Sequence, residues 1–160
     1  MNLSNRHSTL CYLLFVSFFL NTGYVTAQEG QSPPQQRITI MQYAINERPL
    51  LAELLTTAGL APALSGDTPY TLLAPPEASL QELKGQSAEK IRATLAMHII
   101  KGRHQEADFK DGARIDTYSG AAAHVCRKKS DTLISGVKIM AANKEVRNGV
   151  VHELNGLLTP

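Results

Sequence analysis

The sequence predicts an α+β domain in which helices come first and a largely antiparallel sheet follows. Between Ile38 and Gly59, and again between Ser87 and Gly102, apolar residues recur every three or four positions, the period of a helix with one buried face. From Arg114 onward that period gives way to short apolar runs separated by glycine, the pattern of strands joined by tight turns. Helical segments grouped ahead of strands, with turns at Ser119-Gly120 and Ser135-Gly136, favour antiparallel pairing.

The first segment stands apart. Arg6 and His7 precede an apolar run, Leu10 to Leu20, that is shorter than the roughly 20 residues needed to cross a bilayer. Val25 and Ala27 supply small residues for cleavage before Gln28, so residues 1–27 read as a secretory signal and the protein as exported, either periplasmic or extracellular. Residues 28–36, QEGQSPPQQ, hold two prolines and no aliphatic side chain, the composition of a solvated lead-in.

From Ile38 a helical stripe runs through Met41 and Ile45. Pro49, suited to a first turn, opens a second helix carrying Leu50, Leu51, Leu54 and Leu55, which Gly59 ends. After the turn cluster Ser65-Gly66-Asp67, Tyr70 to Leu73 reads as a strand closed by Pro75-Pro76; proline has no donor for a further ladder bond. Ser87 starts a helix whose apolar positions Ile91, Leu95 and Ile99 recur every four residues until Gly102. Strands are then expected over Ile115 to Tyr118, Ala122 to Cys126, Thr132 to Ile134, Val137 to Met140 and Gly149 to Leu154.

Composition narrows the function. Sixteen Lys and Arg against fourteen Asp and Glu are interspersed and leave a formal charge of +2, so the chain carries no basic field that tracks phosphates, and nucleic acid is not an expected partner. Membrane contact is expected to be peripheral at most. Cleavage of the signal removes Cys11 and leaves Cys126 as the single thiol, able to join two chains but not to staple one. No activating base stands near it in sequence, and an inert thiol half buried in a strand is the simpler reading.

His98, His104, His124 and His152 are not paired at metal-ligand spacings with a second His or Cys, so they read as structural and no metal is expected. Asp108 to Gly112 lacks the acidic positions of a calcium loop and reads as a polar turn before a strand. Arg127-Lys128-Lys129 reads as a solvated hairpin end that discourages edge pairing. Nucleophile elbows and phosphate-cradling loops are missing, so neither catalytic residues nor a cofactor are expected.

Three stretches occur in a telling order: TLLAPPEASL from Thr71, LAMHIIKG from Leu95, and NGVVHELNGLLTP from Asn148 to Pro160. They resemble the motifs of the fasciclin domain, a resemblance that spans residues 37–160. Thr117-Tyr118-Ser119-Gly120 also stands where that family has a Thr-Leu-x-Gly turn. The resemblance implies a wedge of two β-sheets with helices packed on one side, and an extracellular role in adhesion, matrix attachment or surface display. By the same resemblance Thr71, Ala74, Pro75, Asn148, Gly149, His152, Gly156 and Pro160 are structural motif positions, while Met97, His98, Ile99 and Ile100 are the candidate partner-binding segment.

Departures from the family are equally specific. Met97 replaces a tyrosine, Pro76 and Glu77 replace the usual residues after Ala-Pro, and Asn143 with Lys144 stands where some animal relatives have an Asp-Ile pair. An acidic integrin ligand is therefore missing. The expected partner is a cell-surface or matrix protein or polysaccharide; the alternative is a lipid-like small molecule held in an apolar cleft near Met97 and Met140. Asn148-Gly149 suits a tight turn with positive φ, and Val150, Val151, Leu154 and Leu157 supply apolar surface to close the core.

Overall fold

Thr39 starts the folded chain as a helix cap: its hydroxyl accepts the Gln42 amide while the Gln42 side chain accepts the Thr39 amide, which satisfies two otherwise unpaired donors. This is a computed structural model that describes residues 38–159; the expected signal over residues 1–27, the expected lead-in over 28–36, Arg37 and Pro160 lie outside the described residues. Helix α1 (Ile40–Glu47) buries Ile40, Met41, Tyr43 and Ala44. Ile45, read as part of that stripe, is instead 56% exposed, because it lies about 100° around the helix from Ala44.

Helix α2 (Pro49–Thr57) begins at the proline as expected and buries all four of its leucines. Gly59, at φ 66°, turns the chain into a short helix, α3 (Ala61–Ser65), whose five residues are too few to show a period in the sequence. Strand β1 (Tyr70–Ala74) ends before Pro75, and α4 (Glu77–Leu83) and α5 (Ala88–Met97) follow. The helix expected to reach Gly102 is shorter. It stops at Met97, and Ile99 leads strand β2 (Ile99–Lys101), antiparallel to β1 with Ile99 opposite Leu72. Ile91, Leu95 and Ile99 share one spacing; the free edge of β1 takes the β-branched pair Ile99-Ile100 out of the helix.

The second half supplies β3 (Arg114–Asp116), β4 (Ala122–Lys128), β5 (Asp131–Ile134), β6 (Val137–Val146) and β7 (Gly149–Leu154). Strand order is β2-β1-β7-β6-β5-β4-β3, antiparallel throughout except for the parallel pair of β1 and β7. A bridge between Ile100 and Thr117 joins the two ends, so the sheet nearly closes on itself. β3 is shorter than expected because Thr117 and Tyr118 turn away to make this closure. β6 runs past Met140 to Val146, and register shifts between Ile139 and Lys144 hide its period of two from the sequence. Only Val137 and Lys138 pair with β5, whereas the strand follows β7 to its end, so β6 belongs to both arms of the wedge.

Alternation along β1 divides the interior. Leu72 and Ala74 face the helices with Leu51, Leu55, Leu80 and Leu95, whereas Leu73 faces a second cluster inside the sheet with Phe109, Val125, Ile134 and Leu158. Phe109 is 1% exposed, a core plug within what the sequence presents as a polar turn.

Candidate functional site

The segment Met97 to Ile100 lies at the junction of α5 and β2 and is buried, with Met97 at 7% exposure and the other three at 0%. Its four side chains are therefore not open to direct contact with a partner. Ala93, Ala96 and Met97 on α5 face Tyr118, Ser119 and Ala121 across an open pocket of about 520 Å³, which Glu89 and Arg92 also line. Small side chains on the helix leave the space, and the far wall is locked. The Tyr118 amide donates to Ile99 O at 2.7 Å and the Ser119 amide to Ala96 O at 3.2 Å. Thr117 Oγ1 lies 2.7 Å from both Ala121 O and Ser119 Oγ, and the Tyr118 ring meets Tyr70 edge-on at 5.9 Å. On the helix side, Arg92 Nη1 donates to Ala58 O at 2.8 Å, tying α5 to the end of α2. Of the segment named from sequence, Met97 alone reaches this pocket; Tyr118, its principal aromatic, is expected from sequence only as a strand end and turn residue.

His98 is fixed from both sides. Its Nδ1 lies 2.8 Å from Leu73 O, and its Nε2 accepts the Leu158 amide at 2.9 Å. Burial pushes its pKa down to about 4, against the raising effect of the two backbone bonds. His152, on β7, is likewise occupied: Nε2 lies 2.9 Å from His104 O and Nδ1 accepts the Asn143 amide at 3.2 Å. Burial lowers its pKa too, partly offset by the His104 carbonyl bond and the Glu106 carboxylate. Phe109 packs edge-on to His152 at 5.5 Å. Among the described residues, no group of three His, Cys, Asp or Glu side chains is arranged to hold a metal ion.

The motif positions meet around β1 and β7. Thr71 Oγ1 donates to Gly102 O and accepts the His104 amide, both at 2.9 Å. Ala74 and Pro75 are buried, and the Pro75 carbonyl accepts from Arg48, whose guanidinium also faces Glu153 at 3.6 Å. Tyr43 donates to Glu153 at 3.2 Å, and burial with that carboxylate raises its pKa to about 12. Gly156 sits against Val137 beyond the end of β7, and Pro160 is outside the described residues.

Asn148-Gly149 works differently from the tight turn expected. Gly149 does not have a positive φ; it is needed because a Cβ there would lie 1.9 Å from Tyr70 O and 2.8 Å from Ile40 Cδ1. Asn148 is a hub: Oδ1 accepts the Ile40 amide at 2.8 Å, and Nδ2 donates to Leu64 O at 2.9 Å and Gly66 O at 2.7 Å. Of the positions set against the Asp-Ile pair, Asn143 accepts the Glu106 amide and Lys144 pairs with Glu47 while covering the Tyr43 ring at 4.5 Å.

With this geometry in hand, comparison with protein families gives one decisive match: the model of the Fasciclin domain covers residues 48–160. The chain belongs to the fasciclin domain family. Its domain is 30% identical over 120 residues to transforming growth factor-beta-induced protein ig-h3 of Sus scrofa, an alignment covering 69% of this chain and 17% of that protein. Human periostin is 23% identical over 88% of this chain and 17% of its own length. Protein sll1483 of Synechocystis sp. is 22% identical, with 88% of this chain and 84% of that protein covered. The chain thus spans about a sixth of the length of the two mammalian relatives. Among solved structures, a FAS1 domain pair from the insect cell adhesion molecule fasciclin I superposes with a TM-score of 0.62 at 11% identity, over 77% of this chain and 51% of that one. That likeness establishes the fasciclin fold, with its helices against a strongly bent sheet. The family match begins at Arg48, yet α1 before it gives this fasciclin domain Ile40, Tyr43 and Ala44 for its core.

Proposed function

We infer that this fasciclin domain is an exported adhesion or surface-interaction module that works by binding and carries out no chemistry. The observation that carries the reading is the fold it shares with the domain pair of an insect cell adhesion molecule. Two features support it. The buried histidines have both ring nitrogens engaged by backbone groups, which leaves them no role as bases. The pocket between α5 and the Tyr118 turn offers an apolar floor with polar groups beside it, the make-up of a recognition site for a cell-surface or matrix protein or polysaccharide. Among the described residues no helix is long and apolar enough to cross a membrane.

Labelled full chain, titrated onto the envelope of the producing cells, onto extracellular polymer and onto host surfaces, is expected to bind saturably to one of them. Ala93→Glu and Tyr118→Ala, which alter the pocket from its two walls, should each weaken that binding at least about tenfold with the circular dichroism spectrum unchanged. Absence of saturable binding to all three surfaces overturns the reading; binding that both variants retain moves the contact elsewhere on the domain.

The same pocket favours a second reading, a carrier of a small apolar ligand, since Met97, Ala93, Ala96 and Tyr118 give it apolar walls. Met140, expected beside Met97, is 62% exposed on β6 and does not line it. Native mass spectrometry of the purified chain decides this: a co-purifying small mass that Tyr118→Ala loses favours the carrier. Cys126 is exposed on β4 rather than half buried, so its thiol is open to pairing with a second copy, and a non-reducing gel reads the dimer directly.

A further inference from the structure

The tautomers of His98 and His152 are dictated by their partners. A carbonyl only accepts and an amide only donates, so His98 carries its proton on Nδ1, towards Leu73 O, and leaves Nε2 bare for the Leu158 amide. His152 carries its proton on Nε2, towards His104 O, and leaves Nδ1 bare for the Asn143 amide. Both rings are fully buried, and both converge on Leu73, whose carbonyl takes the His98 proton and whose register partner on β7 is His152. A proton added to either bare nitrogen sets a donor against a donor, in a site with no water-facing surface.

The segments held by those amides are the irregular ones. Leu158 lies in the tail after β7 and is 1% exposed within the inner cluster; Asn143, at φ 63°, forms the irregularity in β6 and its side chain caps the Glu106 amide. From the 102–109 segment, His104 and Glu106 face His152, with Phe109 against its ring; beside Asn143 on β6, Lys144 is paired with Glu47, and Glu145 with Gln105. The groups against His98 are the backbone of Leu73 and Leu158.

The geometry points to an acid-operated release, in which proton uptake by His98 and His152 frees the Leu158 tail and the Asn143 bulge and uncovers the inner apolar cluster while the helices stay packed on the other face of the sheet. Apart from Met97 at the end of α5, which lies in the inner cluster, the buried apolar residues of the helices belong to the outer cluster, which neither histidine touches through these side-chain bonds. Both rings have pKa values depressed below the ordinary 6.5, so the clasps are intact above pH 6.5 and are lost as pH falls through the folded values, about 4 for His98. Across that window the opening equilibrium at His98 shifts by roughly a few hundredfold. The release is independent of what the domain binds.

Amide hydrogen exchange of the full chain, followed by NMR from pH 7.5 to 4 and corrected for intrinsic rates, tests it. Protection at Leu158 is expected to fall about 100-fold or more with acid, and that at Asn143 to fall in the same direction, while that of Ile91 and Leu95 in α5 is kept. His98→Gln should abolish the pH dependence at Leu158 alone, and His152→Gln that at Asn143 alone. Imidazole titration of the unmodified chain needs no variant to fold: both rings should titrate below pH 6.5, in step with the loss of their amide's protection. A ring that titrates at 6.5 or above overturns the release, and so does a loss of protection that α5 shares.

Discussion

Gly149 and Asn148 show how much of this fold rests on single side chains. Adding a Cβ at Gly149 drives it to 1.9 Å from Tyr70 O, a backbone atom of the neighbouring strand that cannot rotate away. Gly149→Ala should therefore cost more than about 4 kcal/mol or leave the chain unfolded in urea titration, whereas Gly85→Ala, with open space but φ +90°, should cost only about 1–2 kcal/mol. Asn148→Ala strands a buried amide and two carbonyls, and a loss of roughly 3 kcal/mol is expected by the same measurement. Asn148→Asp should be no better, because it keeps the acceptor for Ile40 but turns a carboxylate oxygen towards the Leu64 and Gly66 carbonyls. The dipeptide was legible as important; its reason was not. Asn-Gly is a turn signal by composition, and only the approach of Tyr70 and Ile40 shows that space, not φ, demands the glycine.

Among the elements, those whose period matched their surroundings were readable. α2 shows it: Pro49 sets the first turn, its four leucines are buried in the cluster that Leu72 and Ala74 of β1 also enter, and Gly59 ends it. The Ser135-Gly136 hairpin shows it again, with both residues at positive φ as its two-residue loop requires. α5 and β2 show the opposite. Ile99 fits the helical stripe by number, but β1 offers an unpaired edge that only the folded sheet contains. α1 is capped within itself by Thr39 and Gln42 and is tied to the rest by Asn148 and its buried face, and its eight residues are too few to hold alone. Thr39→Ala is expected to lower stability by about 1 kcal/mol and to raise amide exchange first in α1, ahead of α2.

For the whole molecule, acid is the revealing variable. The folded chain keeps His98 neutral down to about pH 4 whereas the unfolded chain protonates it near 6.5, so the unfolded state binds more protons between these values and stability falls as pH falls. Urea unfolding is expected to show roughly 3 kcal/mol less stability at pH 4 than at pH 7 from this group, and His98→Gln should flatten that part of the slope. The candidate site has the same two-level origin. Motif order along the chain placed Met97 to Ile100 beside something important, but three of those residues are sealed inside, and the pocket exists because the Tyr118 turn folds back over α5 to bridge Ile100 and Thr117. The grouping of most helices ahead of the strands, the apolar faces, most of the turn positions and the family motifs are local properties, written in spacings of two to four residues, and the amino-acid sequence alone determined them. Which strand edges stayed open for β2, where β6 shifts register, why Gly149 admits no side chain and which histidine nitrogens stay bare depend on atoms brought together from distant positions, and those the tertiary structure alone decided.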